Sequence, residues 1–338
     1  MRAALLPTDT ALKVLVTGGS GFIGSHVLDR LAEHGHESRN FDLVPSPHHP
    51  DGEIDTIIGD LLDVDAVRGA VHGCDAIVHL AAVADVNDVV ADPGRAELVN
   101  DRGTGVLLEA ARAEEIPRVL YASTVWVYGD ANGAGPVDED SRLPLPRHLY
   151  TATKLAGEMY CTSYAELWGL EHTILRFGIP YGPRARPATV VAAFVARARA
   201  GKPLTITGDG EQSRRFVYVA DLADGVVAAL SPNASGRIYN LVGDESVTIR
   251  EIAETVRQLV ADVPIVHVED RPGDLRPAEI SGARAAAELG WQPVTPFAEG
   301  VRRYVDWVTA THGTPRAATA SRIDGRAAAV LRQEPEEL

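Results

Sequence analysis

Short apolar runs alternate with longer segments of helical periodicity along the first half of the chain. The run KVLVT (Lys13–Thr17) is rich in β-branched residues, as is typical of a buried parallel strand. The next segment, FIGSHVLDRLAEHG, has the periodicity of a helix and stops at Gly35, a residue type that often ends helices. The alternation continues with strands predicted around Phe41 and at IDTII, DAIVHL, RVLYAST and HTILRF, and helices at LLEAARAEE and around LYTATK. This pattern predicts an α/β fold with a doubly wound parallel sheet over residues 12–178.

The pattern becomes less regular after about Gly178. The predicted elements there are helices at Val190–Arg199, Ile249–Val260 and Phe297–Trp307, strands at LTIT, IYNLV and IVHVE, and a strand and helix within RFVYVADLADGVVAAL. They predict a smaller C-terminal α/β substrate lobe over residues 179–312, with segments near 216–242 returning to the sheet. Residues 313–338 are polar and poor in large apolar side chains, which predicts a mobile tail.

Charge and composition exclude several classes of function. The 338 residues carry a net charge of −15, which argues against non-specific binding to nucleic acid or to anionic membranes. No apolar run approaches the ~20 residues of a membrane span. Cys74 and Cys161 form no metal or redox motif, which favours free thiols in a reducing cytosol and no metal site. The N-terminal apolar run leads into a glycine loop and is interpreted as a strand, not a signal peptide, so we expect a cytoplasmic protein.

The segment TGGSGFIGSH, between the first predicted strand and helix, has the composition of a dinucleotide-binding loop. Gly18, Gly21 and Gly24 permit a tight turn and close approach of the backbone to a pyrophosphate at the helix N-terminus. Asp42 follows at about the distance where a carboxylate binds the ribose hydroxyls and repels a 2′-phosphate. The loop therefore predicts NAD in preference to NADP, although Arg39 is a nearby cation. The alternatives are a merely tight turn and a solvated turn residue at Asp42.

Tyr150 and Lys154 lie four residues apart in a predicted helix, so they share a face. Lysine is rare here, since the chain has only Lys13, Lys154 and Lys202. A phenol titrates near ~10, and lowering its pKa by about three units requires roughly 4 kcal/mol. One cation at ~4 Å supplies about that at an effective dielectric of 20. Lys154 and an oxidised nicotinamide could together make Tyr150 an acid–base group. The alternative is a packed tyrosine beside a solvated lysine.

Several motifs occur in a familiar order: TGGSGFIG, HLAA, ASTVWVYG, YTATK, LRFGIPYGPR, RRFVYVADLADG and RPGD. In this order the chain resembles the extended short-chain dehydrogenase/reductases, and most of all their nucleotide-sugar epimerase/dehydratase branch, which includes UDP-glucose 4-epimerase. The resemblance extends roughly from Lys13 to Thr309. It implies a Rossmann-type fold, bound NAD and a nucleotide-sugar substrate.

The resemblance also implies roles for individual residues. The catalytic residues would be Thr124, Tyr150 and Lys154. The cofactor-binding residues would be Gly18, Gly21, Phe22, Ile23, Gly24, Asp42, Asp60, Leu61, Leu80, Ala81, Ala82, Asn100, Tyr150, Lys154 and Phe177. The substrate-binding residues would be Ser123, Thr124, Ile179, Arg186, Arg214 and Arg271. Arg214 and Arg271 match arginines that clamp the substrate diphosphate, whereas Arg186 could equally be a surface arginine.

Departures from the family pattern narrow the expected reaction. Val125-Trp126 follows Thr124, where 4,6-dehydratases of the family typically have Asp-Glu and uronate decarboxylases usually have a Glu at the second position. Neither side chain is an acid or a base, so both reactions are disfavoured; Trp126 either floors the sugar site or is core. Ile179 replaces a family asparagine that contacts the nucleotide sugar. Asp85 and Asp88 are unfavourable neighbours for an anionic sugar.

These observations lead to three hypotheses of function. The first is an NAD-dependent nucleotide-sugar 4-epimerase, which oxidises C4 transiently and returns hydride to the opposite face. The second is a 4-ketoreductase of deoxysugars, which would consume external NAD(P)H. The third, a non-catalytic dinucleotide-binding protein, is disfavoured because Tyr150 and Lys154 are both present. The resemblance further implies a homodimer through helices near Leu107–Glu115 and Met159–Leu167, unless both apolar stripes pack on the sheet.

Overall fold

The computed structural model describes residues 11–50, 52–129, 135–269 and 279–312; the predicted tail at 313–338 lies outside this part of the chain. The strands are β1 (Lys13–Thr17), β2 (Glu37–Asp42), β3 (Asp55–Ile58), β4 (Ala76–His79), β5 (Arg118–Thr124), β6 (Glu171–Phe177), β7 (Ile179–Tyr181), β8 (Leu204–Thr207), β9 (Ser213–Tyr218), β10 (Arg237–Leu241), β11 (Ser246–Thr248) and β12 (Ile265–Val268). The α-helices are α1 (Phe22–Glu33), α2 (Val64–Val71), α3 (Val86–Ala91), α4 (Pro93–Glu97), α5 (Gly103–Ala113), α6 (Leu149–Trp168), α7 (Val190–Arg199), α8 (Val219–Ala228), α9 (Ile249–Leu259), α10 (Ala283–Leu289) and α11 (Phe297–His312).

Seven parallel strands form the central sheet in the order β10-β6-β5-β4-β1-β2-β3. The strand order reverses between β1 and β4, where Thr17 is the register partner of His79. In open α/β sheets the crevice at the carboxyl ends of such a reversal is where ligands bind. The predicted α/β, Rossmann-type doubly wound sheet is thus confirmed, and its topology predicts a ligand-binding site at the carboxyl ends of β1 and β4.

Helices cover both faces of this sheet. One apolar core joins β1 to α1, α8 and α10 through residues such as Leu28, Leu222 and Ala285. The other core joins β1 and β5 to α2, α5 and α6 through residues such as Leu107 and Cys161. Both faces are therefore buried, which explains why β1, β4 and β5 are almost continuously apolar in sequence.

A second, smaller body is built on the three-stranded sheet β11-β9-β7 and the two-stranded sheet β12-β8. Helices α7, α9 and α11 pack around these strands in a core of their own, with Tyr181 and Phe216 among its aromatic residues. The segment 216–242 contributes α8 and the sheet strand β10, and α10 also packs on the face of the central sheet. Segments that form the lobe and segments that belong to the central sheet therefore alternate along the chain.

Several short elements were not predicted. The chain between β4 and α5 forms α3, α4 and a π-helix at Leu98–Arg102, and Val125–Tyr128 forms a 3₁₀-helix after β5. Each is too short for hydrophobic periodicity to reveal it. Within the described ranges, none of the helices combines the length and the apolar character that crossing a membrane would need.

Candidate active site

A cavity of about 580 Å³ runs along the carboxyl ends of the central strands, from the glycine loop to the first turn of α6. It brings together most of the side chains that the sequence predicted for the site. The predicted residues that line it are Gly18, Gly21, Phe22, Ile23, Gly24, Asp42, Asp60, Leu61, Leu80, Ala81, Ala82, Ser123, Tyr150, Lys154, Phe177, Ile179 and Arg186. Residues of the same wall that were not predicted are Phe41, Leu43, Gly59, Val83, Ala84, Arg95, Val99, Ala122, Pro180 and Thr189.

The glycine loop is shaped by close backbone approaches. Gly18 has a φ of 76°, and a Cβ there would lie 2.8 Å from the amide nitrogen of Ala81. A Cβ on Gly24 would collide with the carbonyl oxygen of Gly18. The amide of Gly21 donates to that same carbonyl oxygen at 3.1 Å, and α1 begins at the next residue. The loop therefore leaves room for a ligand against the positive end of the α1 dipole, which suits a pyrophosphate.

Asp42 ends β2 beside this loop. Its Oδ2 accepts a 3.0 Å hydrogen bond from the backbone N–H of Ser20, which fixes the carboxylate at the cavity wall. Arg39 is directed elsewhere: its Nε donates to Asp55 at 2.7 Å and its Nη1 donates to the carbonyl oxygen of Ala70 at 2.9 Å. The carboxylate is thus placed to bind ribose hydroxyls, while the nearby arginine is already engaged on the other side of the strand.

A carboxylate–arginine pair lies further along the same wall. Asp60 accepts a hydrogen bond from Arg95 at 3.3 Å and another from the backbone N–H of Leu62 at 3.0 Å. Arg95 was not predicted, because it is far from Asp60 in sequence and approaches it only through α4.

Asn100 supports the cavity from behind. It lies on the π-helix and is buried, its Oδ1 accepts from the backbone N–H of Val83 at 2.8 Å, and its Nδ2 donates to Val83 and to Thr153 at 3.1 Å. It therefore fixes the segment after β4, which lines the cavity, relative to α6.

Tyr150 and Lys154 both line the cavity at the N-terminal end of α6. The Nζ of Lys154 donates to the carbonyl oxygen of Ala122 at 2.9 Å and lies 5.1 Å from the ring centroid of Tyr121. Burial lowers the pKa of Lys154 to about 8 and raises the pKa of Tyr150 to about 12, because it penalises an ammonium and a phenolate alike. The positive charge of Arg186 opposes the shift at Tyr150. Burial thus dominates the pKa of Tyr150, and the cation that opposes this effect is Arg186, not the predicted Lys154.

Ser123 and Thr124 end the central strand β5 and are both buried. The hydroxyl of Ser123 donates to Glu158 at 2.5 Å, which leaves its oxygen as an acceptor toward the cavity. The Oγ1 of Thr124 accepts from the backbone N–H of Trp126 at 3.3 Å and caps the 3₁₀-helix. Of the two neighbours, Ser123 lines the cavity described above, whereas Thr124 is buried and is not among its lining residues.

A second cavity of about 330 Å³ adjoins the first at Ile179, which lines both. Trp126 and Arg214 form part of it, with the guanidinium carbon 5.9 Å from the indole centroid. The predicted partner cation Arg271 lies outside the described residues. Trp126 is therefore a cavity residue and not part of the apolar core. Within the described chain, no three His, Cys, Asp or Glu side chains are grouped closely enough to hold a metal ion.

Comparison with known proteins identifies the family of the chain. A model of the NAD-dependent epimerase/dehydratase family matches residues 14–242. The chain is 35% identical over 312 residues to a UDP-glucose 4-epimerase of Mycolicibacterium smegmatis, covering 88% of this chain and 98% of that protein. It is 29% identical over 338 residues to a dTDP-glucose 4,6-dehydratase of Neisseria gonorrhoeae, covering 89% and 97%. A crystal structure of Thermus thermophilus UDP-glucose 4-epimerase with NAD has a TM-score of 0.80 at 35% identity, covering 88% and 98%. The chain is therefore an enzyme of the NAD-dependent epimerase/dehydratase family, and its cofactor is NAD.

Proposed function

We propose that this enzyme is a nucleotide-sugar 4-epimerase. The residues that would hold NAD are those of the glycine loop, Asp42 at the adenosine ribose, and Lys154 and Phe177 at the other end. The chemistry that NAD supplies when bound is reversible hydride transfer, together with the positive charge of its oxidised ring. That charge would act with Arg186 against the burial that raises the pKa of Tyr150 to about 12.

Tyr150 is the proposed base that takes the proton of the C4 hydroxyl and later gives it back. Ser123, whose own proton is held by Glu158, can accept a hydrogen bond from the sugar. The predicted role of Thr124 beside the reacting hydroxyl is also part of this proposal. The adjoining cavity, which Arg214 lines, would bind the nucleoside diphosphate, since one guanidinium group can bind two phosphate oxygens at once.

The observation that carries the choice of reaction is the 3₁₀-turn after Thr124. It places Val125 and Trp126, neither of which is an acid or a base, directly after the strand that ends at Ser123 and Thr124, and both side chains line the second cavity. The carboxylates among the described residues of the larger cavity, Asp42 and Asp60, stand at the cofactor end. In the second cavity the carboxylate among the described residues is Glu279, and it is paired with Arg215 at 2.9 Å. The described lining thus favours proton and hydride movement at one carbon over a following elimination.

The test is conversion of UDP-glucose, UDP-galactose and the dTDP-hexoses by the purified protein, followed by NMR. We expect interconversion of C4 epimers with no net change in NADH absorbance. A 4-keto-6-deoxy product would show a dehydratase, and steady consumption of added NADH would show a ketoreductase; either result contradicts the proposal.

We further propose a cytoplasmic homodimer. On α6, Met159, Leu167 and Trp168 are 63%, 68% and 50% exposed, which suits an apolar contact with a second copy. On α5, in contrast, Leu107 and Leu108 are buried against the sheet. Leu167→Glu should reduce the mass in light scattering to that of a monomer, while Val294→Glu, on an exposed residue of another segment, should not. An unchanged mass in Leu167→Glu would contradict this interface.

A further inference from the structure

An ion pair bridges the sheet domain and the lobe at the Tyr150 end of the larger cavity, and one of its members lines that cavity. Arg186, in the segment after β7, lines the cavity with Tyr150, and its Nη1 lies 3.4 Å from the Oδ2 of Asp85. Asp85 precedes α3 on the opposite side of the cleft. The two residues are 101 positions apart in sequence, so the pair exists only because the lobe faces the sheet here.

The carboxylate of Asp85 is held in place independently of the arginine. Its Oδ1 accepts a 2.9 Å hydrogen bond from the backbone N–H of Asn87 and so caps α3. The other oxygen faces Arg186, and the Asp85 side chain is only 21% exposed against 51% for Arg186. The protein therefore supplies its own fixed counter-charge to the cation beside the catalytic tyrosine.

The surrounding wall is apolar on the same side of the cleft, where it consists of Ala82, Val83 and Ala84. The ammonium group of Lys154 is already hydrogen-bonded to the carbonyl oxygen of Ala122. In a sugar whose C4 hydroxyl reaches Tyr150, the substituent on the neighbouring carbon C5 would lie near Arg186, which lines the same cavity. A carboxylate at that substituent would compete with Asp85 for Arg186 and would be repelled by it.

We propose that the Asp85–Arg186 pair selects nucleotide sugars that are uncharged at C6 and excludes uronates. Hydroxymethyl or methyl groups at C6 carry no charge and leave the pair intact. This inference rests on the proposed action on nucleotide sugars and deepens it by naming the substrate class.

The experiment measures the dissociation constants of UDP-glucose and UDP-glucuronate by calorimetry with the NAD-loaded protein. We expect UDP-glucose to bind at least tenfold more tightly. Asp85→Asn keeps a helix-capping side chain and removes the charge, so it should tighten UDP-glucuronate at least tenfold and change UDP-glucose less than threefold. The sequence predicted both carboxylates as unfavourable neighbours of an anionic sugar, but Asp88 is exposed on α3 and the ion pair with Arg186 is made by Asp85. Asp88→Asn is therefore the matched control. It should leave the ratio of the two constants unchanged.

Equal or tighter binding of UDP-glucuronate by the unaltered protein would overturn the inference. Equal effects of Asp85→Asn and Asp88→Asn would also overturn it, since the selectivity would then come from overall charge. These readouts are binding constants, whereas the proposed epimerisation is judged by product formation. The two proposals can therefore fail separately.

Discussion

Lys154 donates a hydrogen bond from Nζ to the carbonyl oxygen of Ala122 at 2.9 Å, and this bond joins α6 to the central strand β5. The lysine is 4% exposed, so its ammonium is held at one point of the cavity wall. Tyr150, one turn earlier, opens into the same cavity. This bond fixes the position of the proposed base relative to the strand that carries Ser123 and Thr124.

Replacing either Tyr150 or Lys154 should strongly reduce turnover without unfolding the protein. Tyr150→Phe and Lys154→Met should each lower kcat by about 10²–10⁴-fold, the range expected when a proton-transfer group is lost. Tyr160→Phe, on the same helix and 38% exposed, should retain activity. Steady-state kinetics with circular dichroism of each variant provide the check. Full activity in Tyr150→Phe would contradict the assignment of the base.

A methyl group on the glycine loop should prevent cofactor binding. Gly24→Ala would push a Cβ into the carbonyl oxygen of Gly18, so we expect at least a tenfold loss of NAD affinity, or about 1.4 kcal/mol. Gly105→Ala is the control: this glycine lies in α5, and nothing comes within 4 Å of a Cβ built there. It should bind NAD normally and unfold at the same or a higher temperature. Equal NAD affinity in the two variants, measured by calorimetry, would refute the expected clash.

The ion pair of Glu158 and Arg176 should be important for stability. Both are buried, the Nη2 of Arg176 lies 2.8 Å from Oε2 of Glu158, and Ser123 donates to the same carboxylate. Glu158→Gln leaves a buried guanidinium without its counter-charge, which should cost about 3–5 kcal/mol of unfolding free energy.

Urea unfolding measures that loss. Glu109→Gln removes a surface carboxylate paired with Arg112 on α5 and should leave the urea midpoint nearly unchanged, because exposed pairs contribute little. A similar midpoint in both variants would show that the buried pair does not contribute as expected.

Acid should destabilise the protein through His79. This histidine is 2% exposed, and its Nδ1 and Nε2 lie 2.7 Å and 3.0 Å from the hydroxyl oxygens of Thr17 and Thr104. Burial lowers its pKa to about 3, so below about 6.5 the unfolded chain binds a proton that the folded chain does not. Its contribution to stability is therefore present above pH 6.5 and is lost as the pH falls toward 3.

From pH 7.5 to pH 5 this histidine alone should lower the unfolding free energy by about 2 kcal/mol. The measurement is urea unfolding at both pH values for the unaltered protein and for His79→Gln. The variant should lose less stability over this interval. The same loss in both proteins would exclude His79 as the cause.

Local sequence signals predicted much of the fold and of the cofactor site. The strand at Lys13–Thr17 and the helix at Val190–Arg199 have the predicted bounds, because each is a continuous apolar run or a clear periodic segment between turn residues. The glycine loop and Asp42 lie within one βαβ unit, so their spacing along the chain is nearly a spacing in space.

Features that depend on contacts between residues far apart in sequence could not be predicted from local sequence signals. The pairs Asp60–Arg95 and Asp85–Arg186 form between segments whose approach is set by the packing of α4 and of the lobe. The three-residue strand β7 is stabilised by pairing with β9, in which each partner lies 37 residues later, and it carries no periodicity of its own. The raised pKa of Tyr150 likewise reflects burial by the whole cleft and could not be derived from the Tyr150–Lys154 spacing.

The path of the chain between the sheet and the lobe limits how this enzyme can be re-engineered. The chain leaves the sheet after β6, returns for α8 and β10, leaves for β11 and α9, and returns again for α10 before α11. A chimera that borrows another relative's specificity therefore cannot be made by one crossover. It must exchange the three segments of the lobe together, because they share one core and a single junction would pack part of the original lobe against part of the foreign one.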